Sequence, residues 1–127
     1  MTEKWTVIDA YTRGQAMADG VLIDVTEVAK ETGFRIPVAV TAALWAEYVA
    51  VPTGVGDQDE RGRLWDVLFM LLVAIRRGRG FGAELRYHLH VRNDNRDGEP
   101  PLVELKAVCG PADDGSPCVT VMLPDED

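Results

Sequence analysis

One serine, two cysteines and two histidines are the whole supply of these side chains in 127 residues. The scarcity narrows the chemistry. Ser116 stands alone in a stretch of turn residues, so a serine nucleophile has a single and poorly placed candidate. Cys109 and Cys118 lack the C-x-x-C spacing of a zinc or redox site. Long apolar runs are missing too. Uncharged apolar stretches such as residues 36–46 and 67–75 fall short of the roughly 20 residues that cross a bilayer. Residues 1–9 mix charged and apolar side chains, without the apolar segment and small-residue cleavage site of a secretory signal. A cytoplasmic protein with no membrane partner is the expectation. Positive charge is scarce as well, with 13 basic against 21 acidic residues and a net charge of −8. Such a field repels nucleic acid and anionic lipid and draws basic surfaces. Direct nucleic-acid binding is therefore not expected.

What is present reads as an ordinary folded chain, 46% hydrophobic and 27% charged, long enough to form one domain over residues 1–127 without staples. The last third carries the clearest pattern. Residues 83–92, 102–109 and 118–123 alternate apolar and polar side chains, and turn-rich loops at 93–101 and 110–117 separate them. That predicts a three-stranded antiparallel meander. Leu85, Tyr87, Leu89 and Val91 share one face of its first strand, and Arg86, His88 and His90 share the other. Leu105, Ala107 and Cys109 are expected in the core, with Val119, Val121 and Leu123. Cys118 then points the opposite way, which argues against a bridge to Cys109.

Ahead of the meander the pattern turns helical. Thr12 suits the cap of a short helix stopped by Gly20. Residues 21–25 form a short apolar run fit for an edge strand. Asp24 or Thr26 suits the cap of a second helix ending at Gly33. Pro37 fits the first turn of a third, over 38–51. A fourth, from near Asp57 to Arg77, repeats Leu64, Leu68, Leu71 and Ile75 at helical spacing and ends in Arg76 and Arg77, as the helix dipole favours. Trp45, Tyr48, Trp65 and Phe69 read as core aromatics. The fold class expected is α+β in two layers, about four helices on one face of the three-stranded meander, with a short extra strand at 21–25 and a disordered acidic tail at 125–127.

Candidate sites follow from facing and charge. Two histidines on one strand face, with Glu104 paired opposite His90 and Lys106 opposite His88, form a candidate metal site of His88, His90 and Glu104. The stretch from Asn93 to Gly98 places oxygen side chains at alternate positions before a glycine, with Glu104 at the twelfth. That resembles a calcium loop, although Pro100 and Pro101 interrupt it and strands flank it. The glycines of residues 78–82 follow a helix rather than precede one, the wrong order for a phosphate cradle. They leave Arg76, Arg77 and Arg79 as a small basic spot. Acids crowd the hairpin loops and the tail: nine acids and two bases over residues 93–127 put −7 of the total charge there. Arg76, Arg77, Arg79, Arg86, Asp94, Asp97, Asp113 and Asp114 are thus candidate binding residues. A pocket near Asp24 and Arg63 is a further candidate. No catalytic residue and no cofactor is assigned.

Residues 19–26, followed by Ala29, Glu31, Gly33, Phe34 and residues 37–41, then residues 63–68 and the closing 119–124 run, resemble an uncharacterised bacterial family. The resemblance covers nearly the whole chain. It implies the company of small reading frames on plasmids and integrated elements, and so a part in transfer, maintenance or evasion of host defence. It brings no catalytic residue with it. Together these features point to a non-catalytic interaction or regulatory module that binds another protein through acidic loops and an exposed sheet face, with room for a homodimer. The alternative is a small metal- or ligand-binding enzyme on His88, His90 and Glu104.

Overall fold

Five strands, not three, make the sheet, and one of them was expected to be helix. The computed structural model describes residues 12–56, 58–78 and 83–126. In chain order the elements are α1 (Arg13–Ala18), β1 (Leu22–Asp24), α2 (Thr26–Thr32), β2 (Val38–Thr41), α3 (Ala42–Leu44) continuing into a π-helical turn (Trp45–Val49), α4 (Glu60–Arg77), β3 (Glu84–His90), β4 (Leu102–Pro111) and β5 (Pro117–Met122). The strand order is β1-β2-β5-β4-β3. β2 runs parallel to β5 and every other neighbouring pair is antiparallel. Among the described residues the protein is thus a mixed α+β fold of four helices and a five-stranded mixed sheet. The meander forms only one part of that sheet.

Residues 38–41 explain the difference. Val38, Ala39, Val40 and Thr41 are all buried, because β2 sits between two strands with both faces covered. A fully buried strand has no polar alternation, so its apolar run is the same signal as a buried helix. The helix expected over 38–51 begins only at Ala42. Thr41 caps it, its hydroxyl accepting from Leu44 N–H at 3.1 Å. It then widens, and Ala50 N–H donates to Trp45 O five residues back at 2.8 Å.

The front of the sheet meets α2, α4 and the π turn. Leu64, Val67, Leu68, Leu71 and Leu72 of α4 pack there with Val38, Val40, Tyr87, Leu89, Leu105, Ala107, Val119 and Val121. Tyr87 donates its hydroxyl to Val67 O at 2.9 Å, and full burial raises the phenol's pKa. Of the aromatics assigned to the core, Phe69 is 37% exposed. It stacks on Trp65 with ring centroids 4.8 Å apart, while Trp45 and Tyr48 pack against the core as half-buried side chains.

The back of the sheet is not the bare polar surface that a single helical layer would leave. α1 lies across it, and Arg13 donates to Thr120 Oγ1 at 2.5 Å and Val119 O at 2.9 Å. Cys118, Ala39 and Met122, whose side chains point this way, are buried. Cys118 and Cys109 are both free; Cys109 pairs with Val119 in the ladder and Cys118 with Gly110, so the two thiols fall on opposite faces. Burial raises the Cys118 thiol's pKa.

Two distant segments hold the back layer in place. Thr12 and Gln15 form a reciprocal capping box at the start of α1. A second cap comes from far along the chain, the Asp113 carboxylate accepting from Arg13 N–H and Gly14 N–H, each at 2.9 Å. A six-residue helix cannot stand alone, so this clamp ties α1 to the β4–β5 hairpin. Asp113→Ala is expected to cost about 1 kcal/mol of stability and to speed amide exchange at Arg13 and Gly14. An unchanged melting temperature with unchanged exchange would count against the clamp. The end of the chain is tied as well. Glu126 Oε1 accepts from the Thr41 hydroxyl at 2.7 Å and Leu123 N–H at 2.8 Å, and Lys106 Nζ donates to Glu126 O. These bonds tie Glu126 to β2 and β4, and residue 127, the last of the expected tail, lies outside the described residues.

Candidate functional site

The histidine face of β3 was the leading metal candidate, and the register changes its meaning. His88, not His90, stands opposite Glu104, and Arg86 stands opposite Lys106. The hairpin loop therefore offsets the pairing by two residues from the simple expectation. Glu104 is shared: His88 Nε2 lies 3.5 Å and Arg86 Nη1 3.4 Å from its carboxylate oxygens. Arg86 also pairs with Glu84 at 3.2 Å. His90 turns away, its Nε2 3.5 Å from Glu99 and its Nδ1 2.7 Å from Pro100 O. A guanidinium on the only shared carboxylate opposes a cation. Among the described residues no group of three histidine, cysteine or acidic side chains is arranged to hold a metal. These are surface pairs, and water screens them to little net energy.

The calcium-like loop is likewise committed elsewhere. Asn93 Oδ1 accepts from Arg63 at 2.5 Å, Asn93 Nδ2 donates to Glu47 O at 3.0 Å, and Asp94 Oδ1 accepts from Arg96 N–H at 3.0 Å. Asn95 bonds to Gly54 and Gly56 across the neighbouring loop. The oxygens clamp loops instead of converging on one point. Asp97 is exposed. Arg76 and Arg77 are exposed at the end of α4, and Arg79 and the glycines at 80 and 82 lie outside the described residues. Asp114 accepts from Ser116 N–H at 3.0 Å and the Ser116 hydroxyl at 2.6 Å. Those bonds lower its pKa and shape the turn.

Arg63 was paired with Asp24 in the sequence reading, and the fold separates them. Asp24 is exposed on β1, where its carboxylate holds Thr26 N–H and Oγ1. Arg63 is 7% exposed inside α4. Its Nε donates to Tyr48 O at 3.0 Å and Val49 O at 3.2 Å, closing the end of the π turn. Its Nη1 reaches Gln58 Oε1 at 2.8 Å and Arg92 O at 2.6 Å. Every one of these partners is a neutral oxygen. Burial lowers the guanidinium's pKa, but arginine keeps its charge at any ordinary pH. The wide π winding leaves carbonyls without helical partners, and the planar fork of arginine satisfies several at once. A lone arginine in an amphipathic helix gives no sequence signal of such a role.

A hollow on the back of the sheet is the feature that the sequence did not reveal. It measures about 740 Å3, and its walls are mostly apolar. Thr41, Val108, Thr120 and Met122 line it from the sheet. Ala16 of α1 and Leu22 of β1 line it from one side, and Arg13, Asp113 and Glu126 stand around it. The hydroxyls of Thr41 and Thr120 are already bonded to Glu126 and Arg13. What remains open is apolar surface beside carboxylates, the size of a small-ligand site or a seat for a few side chains. Among the described residues α1 covers only part of the back layer, and the 123–126 turn folds up beside the hollow.

No curated protein and no solved structure shows significant similarity to the chain. Among the described residues no helix is long and apolar enough to cross a membrane. A family model does match, and it spans residues 1–127. The chain belongs to DUF6573, a family of unknown function.

Proposed function

We propose that this chain is a non-catalytic interaction module that holds a basic partner protein against the back of its sheet. An apolar side chain of the partner seats in the hollow. The observation that carries this reading is an apolar hollow of about 740 Å3 bordered by Asp113 and Glu126, next to Asp114 and Asp125, on a chain of net charge −8. An apolar seat contributes affinity and the surrounding acids contribute steering and choice of partner. The setting we propose is the cytoplasm. The resemblance noted above favours a mobile element, where an acidic module of this kind would regulate or blunt a basic host protein. An enzyme using His88, His90 and Glu104 finds less support, since Arg86 shares the one carboxylate that would ligate.

The test is capture from the native host with the tagged chain, then titration of the captured protein. Its association should weaken at least tenfold between low salt and about 0.5 M salt, as a screened charge pairing must. Val108→Arg, which puts a cation into the hollow, should abolish it without changing the melting temperature by more than a few degrees. Salt-insensitive binding, or full binding by the Val108→Arg variant, would overturn the reading.

A further inference from the structure

The two edges of the sheet are managed very differently. β1 is three residues long, too short to template another strand. β3 is seven residues long and ends the sheet on the other side. It has neither proline nor lysine, two of the devices that blunt an edge. Its hydrogen-bond parity is explicit. Val91 N–H donates to Pro101 O and Cys109 N–H donates to Ala83 O, so odd-numbered residues bond to β4. The backbone groups of Glu84, Arg86, His88 and His90 therefore point away from the sheet. Along this edge runs an open groove of about 380 Å3 lined by Asp66, Met70, His88, Leu89, His90 and Leu102. Among the described residues Leu102 is the most exposed large apolar side chain, at 59%.

We propose that the partner of this edge is a second copy of the chain, with β3 pairing antiparallel to β3 about a two-fold axis at Tyr87, so that two five-stranded sheets become one of ten. The charges choose the occupant and the register. Centred on Tyr87, all seven residues pair. Glu84 then faces His90 of the second copy, Arg86 faces His88, and Glu104 already sits beside that His88 at 3.5 Å. On the other face Leu85 meets Leu89. Centring on Arg86 instead sets two arginines opposite each other, and centring on His88 sets two histidines opposite each other. Both shorten the overlap, and like groups directly opposite are destabilising. A strand that complements itself only in its full-length register is what an isologous dimer requires.

The experiment is light scattering of the full chain over a concentration series, with amide exchange read at single residues. A dimer is expected, with the amides of Glu84, Arg86, His88 and His90 protected in the dimer and exchanging at least tenfold faster on dilution to the monomer. His88→Pro removes an outward N–H and should yield a folded monomer by circular dichroism. Register is read by mixing Arg86→Cys with His88→Cys. Facing positions in the proposed pairing lie about 5.5 Å apart, within disulfide reach, so the mixture should cross-link while either variant alone does not. Should His88→Pro misfold, this cross-link still decides. A chain that stays monomeric at high concentration, a dimer without protection at these amides, or cross-linking of either variant alone overturns the proposal.

Discussion

Replacing Arg63 by methionine is expected to lower the stability of the fold by about 3–5 kcal/mol, because several buried acceptors lose their donor at once. Methionine roughly preserves the volume of the side chain and removes only the donors. The carbonyls of Tyr48 and Val49 and the side-chain oxygens of Gln58 and Asn93 lose the arginine donor, while Arg92 O keeps Gln58 Nε2 at 3.0 Å. A buried acceptor left without a donor costs about 1–3 kcal/mol. The two carbonyls and the Asn93 oxygen together reach or pass the expected total, but water entering beside Gln58 and Asp66, where the surface is open, should offset part of the loss. Arg63→Lys keeps the charge but not the fork, and should fall between the two. Urea unfolding midpoints measure the series. A methionine variant within about 1 kcal/mol of the parent would show that the π turn and the 92–93 segment do not depend on this side chain. The consequence reaches the sheet, because Arg92 and Asn93 directly follow β3.

Leu68→Ala should rank with it, at about 2–5 kcal/mol for a large-to-small change in a close-packed core. Leu68 is fully buried in the middle of the α4 stripe. It lies between Leu64, one turn earlier, and Leu71 and Leu72, one turn later, so neighbours on both sides limit collapse into the space. The change should leave far-ultraviolet circular dichroism nearly unaltered while lowering the urea midpoint, because it loosens the helix on the sheet without changing helix propensity for the worse. A cost below about 1 kcal/mol would mean that α4 repacks freely. Since domains of this size are stable by only about 5–15 kcal/mol, the double variant should be largely unfolded at moderate temperature.

The sequence displayed best what one amphipathic face encodes. β3 alternates buried and exposed residues at Tyr87, His88, Leu89 and His90 as its pattern requires. α4 buries Leu64, Leu68 and Leu71 as its spacing requires, starting at Glu60 with Asp59 as its cap instead of near Asp57. The short strand at residues 22–24 also lies within the run expected to form an edge. β2 was hidden because burial on both faces erases alternation. The hairpin register was hidden because so long a loop, residues 91–101, does not dictate which residues pair, and the two-residue offset moved Glu104 from His90 to His88. Asp113 looked like a free surface acid because its partners, Arg13 and Gly14, lie about a hundred positions away.

Local chemistry alone therefore determined the helical stripe of α4, the alternating strands of the last third, the Thr12 cap and the acidic surface, since each depends on neighbours within a few residues. Tertiary structure alone decided the insertion of β2 beside β5, the second layer under α1, the hollow between them and the duties of Arg63 and Asp113. Those depend on which distant segments meet, and burial, not spacing, sets what each polar group then does.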